Sequence, residues 1–260
     1  MDVIDRRTFV LAGATALALP LVGCGGGGGV PLPPPSAQAG PTAVSKTGSQ
    51  FRTLPLSHTL VVTDAKGVSK TLGGVGTGAG KFNYPADVAV LNELAYVVET
   101  GNHRVQVFNS SGAALGTLGD GVLNYPGGII TTSDEILVSD SRNARIVGFS
   151  PAGQVTRIIG AGVLSAPRGL AVVDGGLLVA DPGLRKVVKL DMNGQLKGEF
   201  GSDWVLPWDV ASDGTLIFVA DVSANEVAVL DMSGKRVESI ALESAPQYLS
   251  FRNQTLYVVQ

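Results

Sequence analysis

The sequence predicts an all-β fold built from a repeated four-stranded unit. Proline recurs about every 40 residues, at Pro85, Pro126, Pro167, Pro207 and Pro246. Glycine follows the same period, at Gly67, Gly112, Gly153, Gly194 and Gly234. Between these markers lie short runs rich in β-branched residues, separated by turn residues. Four short strands at this period are typical of a β-propeller, in which closure of a ring removes the open sheet edges.

The copy that follows Pro126 illustrates the predicted unit. Its apolar runs are 127–131, 135–140, 145–149 and 155–159, each bounded by Ser, Asp, Asn, Pro or Gly. No amphipathic stretch with helix caps follows residue 50, which disfavours helical repeats of similar length.

The ends of the chain determine the predicted number of blades. Four copies are complete, at roughly 76–119, 120–160, 161–201 and 202–242. Two partial copies remain. Residues 246–260 contain only the first two strands of the unit, and residues 57–74 contain only the last two. Joined, they predict a fifth blade closed by both termini, within a propeller domain of residues 51–260. Six blades is the alternative, which requires residues 50–56 and their flanks to supply further strands.

The N-terminus predicts an export signal over residues 1–23. Arg6 and Arg7 precede an uncharged run that is too short for a membrane-spanning helix and contains Pro20. The segment around the two arginines resembles a twin-arginine signal, which bacteria use to export folded proteins. An ordinary Sec signal that carries two arginines is the alternative.

The lone cysteine ends the apolar run, in the tetrapeptide Leu21-Val22-Gly23-Cys24. This resembles a bacterial lipobox, which implies cleavage before Cys24 and acylation of its thiol. We therefore expect a lipid anchor in the cell envelope, with the outer membrane or the periplasmic face favoured. Residues 24–50 are rich in Gly and Pro and predict a disordered tether that reaches on the order of 30 Å.

The first complete copy contains a motif of high specificity. It combines Phe82-Asn-Tyr-Pro85 with Gly101-Asn-His-Arg-Val-Gln-Val-Phe108. This stretch closely resembles an NHL repeat, a family of β-propellers that commonly have six blades. The later copies keep the proline and glycine positions but lose the Asn-His pair.

A candidate binding face follows from the position after each proline, near the predicted mouth of the central channel. Its residues differ from copy to copy, whereas the scaffold positions repeat; they are Asp87, Arg168, Trp208, Asp209, Gln247 and Tyr248. Trp, Tyr and Arg are enriched at contact hot spots. The expected ligand is an unidentified envelope protein, peptide or glycan. Unconstrained surface, or a structural role without a discrete site, is the alternative.

The same face carries His103, Arg104 and Arg145 in the loops between second and third strands. We include them in the candidate face, although a turn-forming His and cations paired with nearby acids are the simpler interpretation. Some basic NHL propellers bind RNA. Here the net charge of −3 and the interruption of the basic series by Glu226 argue against nucleic acid.

Catalytic signals are weak in this sequence. Asp87 and Asp209 are weak candidates for a cation site, since hard cations require more carboxylates than two. The recurring acids Glu99, Asp140, Asp181 and Asp221 are better explained as acceptors for turn amides. We find no nucleophile with a paired base, no P-loop and no dinucleotide fingerprint, and predict no cofactor. We thus expect a monomeric, non-catalytic binding scaffold; a metal-dependent lyase or lactonase, known among similar propellers, is the alternative.

Overall fold

A computed structural model describes residues 8–12, 41–201 and 204–260 of the chain. Within these ranges the structure is all-β, with two short 3-10 turns at Pro55–Ser57 and Ser141–Asn143. The described residues include no helix that is long and apolar enough to cross a membrane. Arg6, Arg7, Cys24 and residues 13–40 of the predicted signal and tether lie outside the described residues.

Five antiparallel four-stranded blades are present, which confirms the predicted fold class and blade number. Blade 1 consists of β2 (Thr42–Val44), β3 (Gln50–Leu54), β4 (Thr59–Thr63) and β5 (Ser69–Gly73). Blade 2 consists of β6 (Pro85–Leu91), β7 (Leu94–Glu99), β8 (Arg104–Phe108) and β9 (Ala114–Leu118). Blade 3 consists of β10 (Pro126–Thr131), β11 (Ile136–Asp140), β12 (Arg145–Phe149) and β13 (Val155–Ile159).

The remaining blades repeat this order. Blade 4 consists of β14 (Leu170–Val173), β15 (Gly176–Asp181), β16 (Lys186–Asp191) and β17 (Leu196–Phe200). Blade 5 consists of β18 (Pro207–Ser212), β19 (Leu216–Asp221), β20 (Glu226–Asp231) and β21 (Arg236–Ala241). A sixth, three-stranded sheet, here termed the closing sheet, contains β22 (Tyr248–Arg252), β23 (Thr255–Val259) and β1 (Thr8–Ala12).

The closing sheet combines the two ends of the chain, but with different N-terminal residues from those predicted. β1 pairs in parallel with β23, from Thr8 opposite Thr255 to Ala12 opposite Val259. Residues 57–74 instead pair with β3, and β3 pairs with β2. Neighbours in sequence pair at a lower loop-closure cost than distant chain ends, which explains this preference. Blade 1 thus begins at Thr42, inside the stretch predicted as tether.

Apolar clusters fill the space between successive sheets. Phe51 of blade 1 packs with Phe82 and Phe108 of blade 2, and all three are fully buried. Further clusters join blades 2 and 3, blades 3 and 4, and blades 4 and 5. Between blade 5 and the closing sheet, Val227 and Val229 pack with Leu256 and Val258. Arg252 Nη1 donates to the carbonyl of Thr42 at 3.3 Å, which links the closing sheet to blade 1.

A buried carboxylate ends the second strand of each of blades 2 to 5. Asp181 Oδ2 accepts the N–H of Ser165 at 2.8 Å, and its Oδ1 accepts those of Ala166 and Leu184. Asp221 repeats this pattern, whereas Glu99 and Asp140 accept side-chain donors as well as one loop N–H. All four acids therefore hold the loop that leads into the inner strand, and Asp181 and Asp221 also accept an N–H of the predicted turn.

The inner strands of blades 3, 4 and 5 approach each other at glycine. A Cβ at Gly128 would lie 2.3 Å from the carbonyl oxygen of Arg168. A Cβ at Gly169 would lie 2.0 Å from Oδ1 and 2.5 Å from Cα of Asp209. Only glycine permits these strands to lie so close together.

We expect Asp181→Ala to lower the free energy of unfolding by about 2 kcal/mol, because three N–H groups lose their acceptor. Urea denaturation measures this change. Asp191→Ala is the matched control: Asp191 also accepts two turn N–H groups, but at a surface turn that water reaches. Equal losses in the two variants would contradict the proposed importance of burial.

We expect Gly169→Ala to lower the free energy of unfolding by about 2 kcal/mol through overpacking of the inner strands. Gly116→Ala in β9 is the control, since a Cβ there meets no atom within 4 Å. The same denaturation experiment compares the two variants. A Gly169→Ala protein as stable as Gly116→Ala would refute the close approach.

Candidate functional site

The residues after each inner-strand proline converge on one hollow at the mouth of the channel. The hollow is open to solvent, and a water-sized sphere can be centred in only about 10 Å³ of it. Its walls are Asp87, Gly127, Gly128, Arg168, Gly169, Trp208, Asp209, Gln247 and Tyr248. This is room for about one water molecule, well short of the roughly 300–1,000 Å³ of a pocket for a small molecule, so a ligand would lie largely outside it.

Arg168 dominates the electrostatics of the hollow. Its guanidinium carbon lies 3.7 Å from the ring centroid of Trp208, in a cation–π stack. Burial lowers the pKa of Arg168, while the nearby Tyr248, Tyr84, Asp209 and Asp87 raise it. The guanidinium nevertheless remains cationic, because arginine starts from so high a pKa.

Asp87 and Asp209 occupy equivalent positions in blades 2 and 5. Oδ1 of each accepts the N–H of its own next residue, Val88 at 2.7 Å and Val210 at 2.8 Å. Oδ2 of each accepts an N–H from the next sheet, Ile129 at 3.0 Å and Leu249 at 2.7 Å. Both carboxyls therefore bridge neighbouring inner strands, a role that the sequence did not indicate.

The same two carboxyls titrate far from their ordinary range. Burial raises the pKa of Asp87 to about 7, against the opposing effect of its backbone hydrogen bonds and of Arg168. Burial raises the pKa of Asp209 to about 8, and the charge of Asp87 adds to this increase. The charge of the hollow thus changes around neutral pH, where carboxyls normally stay ionised.

One tyrosine lines the hollow, and a second lies near it. Tyr248, the first residue of β22, is buried, and burial raises its pKa, with a further contribution from Tyr84. Tyr84 is close enough to raise the pKa of both Tyr248 and Arg168, but it is not one of the predicted binding residues. Its backbone is left-handed, with φ 55°, and its N–H donates to Nδ1 of His58 at 3.0 Å. The Tyr-Pro pair, which recurs at Tyr125, was the available signal.

Six of the nine candidate binding residues line the hollow, namely Asp87, Arg168, Trp208, Asp209, Gln247 and Tyr248. The other three support the scaffold. Arg104 bonds to Glu99 and Arg145 to Asp140, each through Nε at 2.8 Å. His103 adopts a left-handed turn, and its Nδ1 accepts the N–H of Tyr125 at 2.8 Å. That the six bind a ligand stays a prediction.

A metal centre has little support in the described ranges. There, no group of three or more His, Cys, Asp or Glu side chains is arranged to hold a metal ion. Asp87 and Asp209, the weak candidates, each direct both oxygens to backbone N–H groups.

Comparison with known proteins gives the same fold. Residues 82–108, in blade 2, match the model of the NHL repeat family. No curated protein matches the chain. Among solved structures, an inactive virginiamycin B lyase from Staphylococcus aureus with quinupristin is 16% identical with a TM-score of 0.68, covering 87% of this chain and 78% of that one.

Two further structures are similar to the same degree. A nidogen/laminin complex is 17% identical with a TM-score of 0.68, covering 85% of this chain and 84% of that one. A gluconolactonase from Xanthomonas campestris is 15% identical with a TM-score of 0.66, covering 85% and 82%. At these identities the likeness establishes the fold alone: the chain is a β-propeller whose second blade carries an NHL repeat.

Proposed function

We propose that this chain is a lipid-anchored protein of the bacterial cell envelope whose propeller binds a partner at the channel mouth without catalysis. The observation that carries the proposal is Arg168. Its guanidinium is stacked on Trp208 in the hollow and, among the described residues, forms no ion pair with a carboxylate. A desolvated, unpaired arginine beside an aromatic ring is the kind of group on which binding hot spots are built.

The variation of the mouth residues supports the same function. Blades that share their scaffold acids and prolines present Asp87, Arg168, Trp208 and Tyr248 at the hollow. A uniform scaffold with unlike residues at one end is typical of a recognition surface. The similar fold of the nidogen/laminin complex comes from an assembly of proteins, which is consistent with a protein or peptide partner.

The proposed location rests on the sequence before the propeller. The twin-arginine-like signal and the lipobox at Cys24 support export and acylation; cleavage before Cys24 would remove β1 and leave the closing sheet with β22 and β23. Because β2 begins at Thr42, the segment between Cys24 and the propeller is shorter than the sequence indicated. As a flexible coil it would reach roughly 20–25 Å, enough to hold the propeller close to the membrane surface.

A metal-dependent lyase or lactonase is the second candidate. Two observations favour it. The charge of Asp87 raises the pKa of Asp209, and a lyase and a gluconolactonase are among the similar structures. Thermal unfolding with added Ca²⁺, Mg²⁺ or Mn²⁺ tests it. Stabilisation by one of these ions that Asp209→Asn abolishes would favour the enzyme over the binding scaffold.

We expect the double variant Arg168→Ala/Trp208→Ala to lose its envelope partner, with captured material reduced at least about tenfold. Cross-linking of the full chain in cells, followed by affinity capture, measures the effect. Arg142→Ala/Tyr125→Ala is the matched control, because Arg142 stacks on Tyr125 at 3.6 Å outside the hollow. Unchanged partners in the first double variant would refute binding at the mouth.

We expect Cys24→Ala to move the protein from the membrane fraction to the soluble fraction, since the acylated thiol is lost. Fractionation and immunoblotting measure the distribution. Gly25→Ala leaves the cysteine in place and should remain with the membrane. Retention of the Cys24→Ala protein on membranes would contradict the lipid anchor.

A further inference from the structure

Arg168 differs from most of the other arginines that lie partly buried in the propeller. Four of those have a carboxylate partner: Arg104 with Glu99, Arg145 with Asp140, Arg157 with Glu135 and Arg236 with Glu226. In the described part of the chain, the guanidinium of Arg168 has a ring beneath it and no hydrogen-bond acceptor. Its N–H groups therefore remain available to a ligand.

The nearby carboxyls do not take this role. Asp87 and Asp209 lie near enough to affect the pKa of Arg168, but neither lies within ion-pair distance of it. Each directs one oxygen to its own strand and the other to the next sheet. Moving either carboxyl onto Arg168 would leave an inner-strand N–H without its acceptor, which is unfavourable.

We propose that the hollow is a receptor for a single carboxylate group, bound by the guanidinium fork of Arg168. The proposal deepens the proposed function by naming the chemistry of the ligand, and it rests on that function. Two parallel N–H donors match the two oxygens of a carboxylate, and stacking on Trp208 holds the guanidinium plane in place.

The surroundings suit a small anion. Gly127, Gly128 and Gly169 contribute main chain rather than side chains to the wall of the hollow. Partial exclusion of water strengthens the attraction between guanidinium and carboxylate. The hollow is small and open to solvent, so a ligand carboxyl would meet Arg168 at its opening while the remainder of the ligand lies outside.

The affinity of the hollow for a carboxylate should also depend on pH. The titratable groups that face Arg168 are Tyr84, Asp87, Asp209 and Tyr248. Asp87 and Asp209, with pKa values of about 7 and about 8, are ionised at high pH and then repel an anion. They become protonated as the pH falls to 6.5, which removes the repulsion while the ligand carboxylate stays ionised. Affinity should therefore rise as pH falls from 8.5 to 6.5.

The two tryptophans allow a direct test on the full chain labelled with ¹⁵N. Trp208 stacks on Arg168, whereas Trp204 is buried and donates from Nε1 to the carbonyl of Phe200 at 3.0 Å. Titration with N-acetylglycine should shift the indole signal of Trp208 and leave that of Trp204 in place. N-acetylglycinamide, which lacks the carboxylate, should shift neither. Equal shifts of Trp208 with acid and amide would overturn the proposal.

Substitutions of Arg168 test whether this residue binds the carboxylate. We expect Arg168→Gln to raise the Kd for N-acetylglycine at least about tenfold, because the charge is lost. Arg168→Lys keeps the charge but loses the fork, and should raise the Kd roughly threefold. Arg142→Gln, the matched stack outside the hollow, should bind as the wild type does. Unchanged affinity in Arg168→Gln would overturn the inference.

Other probes define the class of ligand. Acetate distinguishes a free acid from an acid carried on a peptide: binding of acetate as tight as that of N-acetylglycine indicates that the carboxylate alone suffices, and weaker binding indicates peptide contacts outside the hollow. Either result supports a carboxylate receptor. Tighter binding of inorganic phosphate or ethylammonium would overturn it, as would an affinity for N-acetylglycine that does not rise at lower pH.

The binding of carboxylate probes and the capture of an envelope partner test different statements. If N-acetylglycine binds through Arg168 but no envelope partner is captured, the carboxylate receptor stands and the proposed scaffold fails. If capture depends on Arg168 but no carboxylate probe binds, the scaffold stands and this inference fails.

Discussion

The buried carboxylate at the end of the second strand is the interaction on which the blade geometry depends. In blades 4 and 5, Asp181 and Asp221 accept the N–H groups of the loop that enters the blade, and Glu99 and Asp140 do so in blades 2 and 3. This loop ends where the inner strand begins, so the acid sets the direction in which the mouth residues emerge. Leaving these N–H groups unpaired inside the ring would be costly, which explains why the acid recurs while its basic partner does not.

A second use of carboxylates appears at the mouth itself. Asp87 and Asp209 join neighbouring inner strands, and the glycines at the equivalent places in blades 3 and 4 let the strands approach directly. The structure thus uses two solutions to one packing problem: a bridging carboxyl in blades 2 and 5, and close approach at glycine in blades 3 and 4. Where a carboxyl bridges the strands, a titratable group lies near Arg168. The side chains that hold the inner strands together therefore also contribute to the charge of the hollow.

Much of the site was predictable, because its residues follow a proline that recurs with the repeat. Arg168, Trp208 and Tyr248 are placed together by that register alone. Tyr84 was missed, since it precedes the proline, and its left-handed backbone is held by His58 near Arg168 and Tyr248. His103, Arg104 and Arg145 share the face in sequence register, but hydrogen bonds and ion pairs direct them to the scaffold.

The sequence by itself determined the all-β repeat and the bounds of the middle blades. These depend on local patterns of β-branched residues and turns, which are read within one repeat. The tertiary structure alone decided how the ends pair, with Thr42–Val44 completing blade 1 and Thr8–Ala12 beside β23. It also decided that Asp87 and Asp209 bridge strands whereas Arg168 lacks an ionic partner in the described residues. Those outcomes depend on distances between residues far apart in the chain, which no local pattern records.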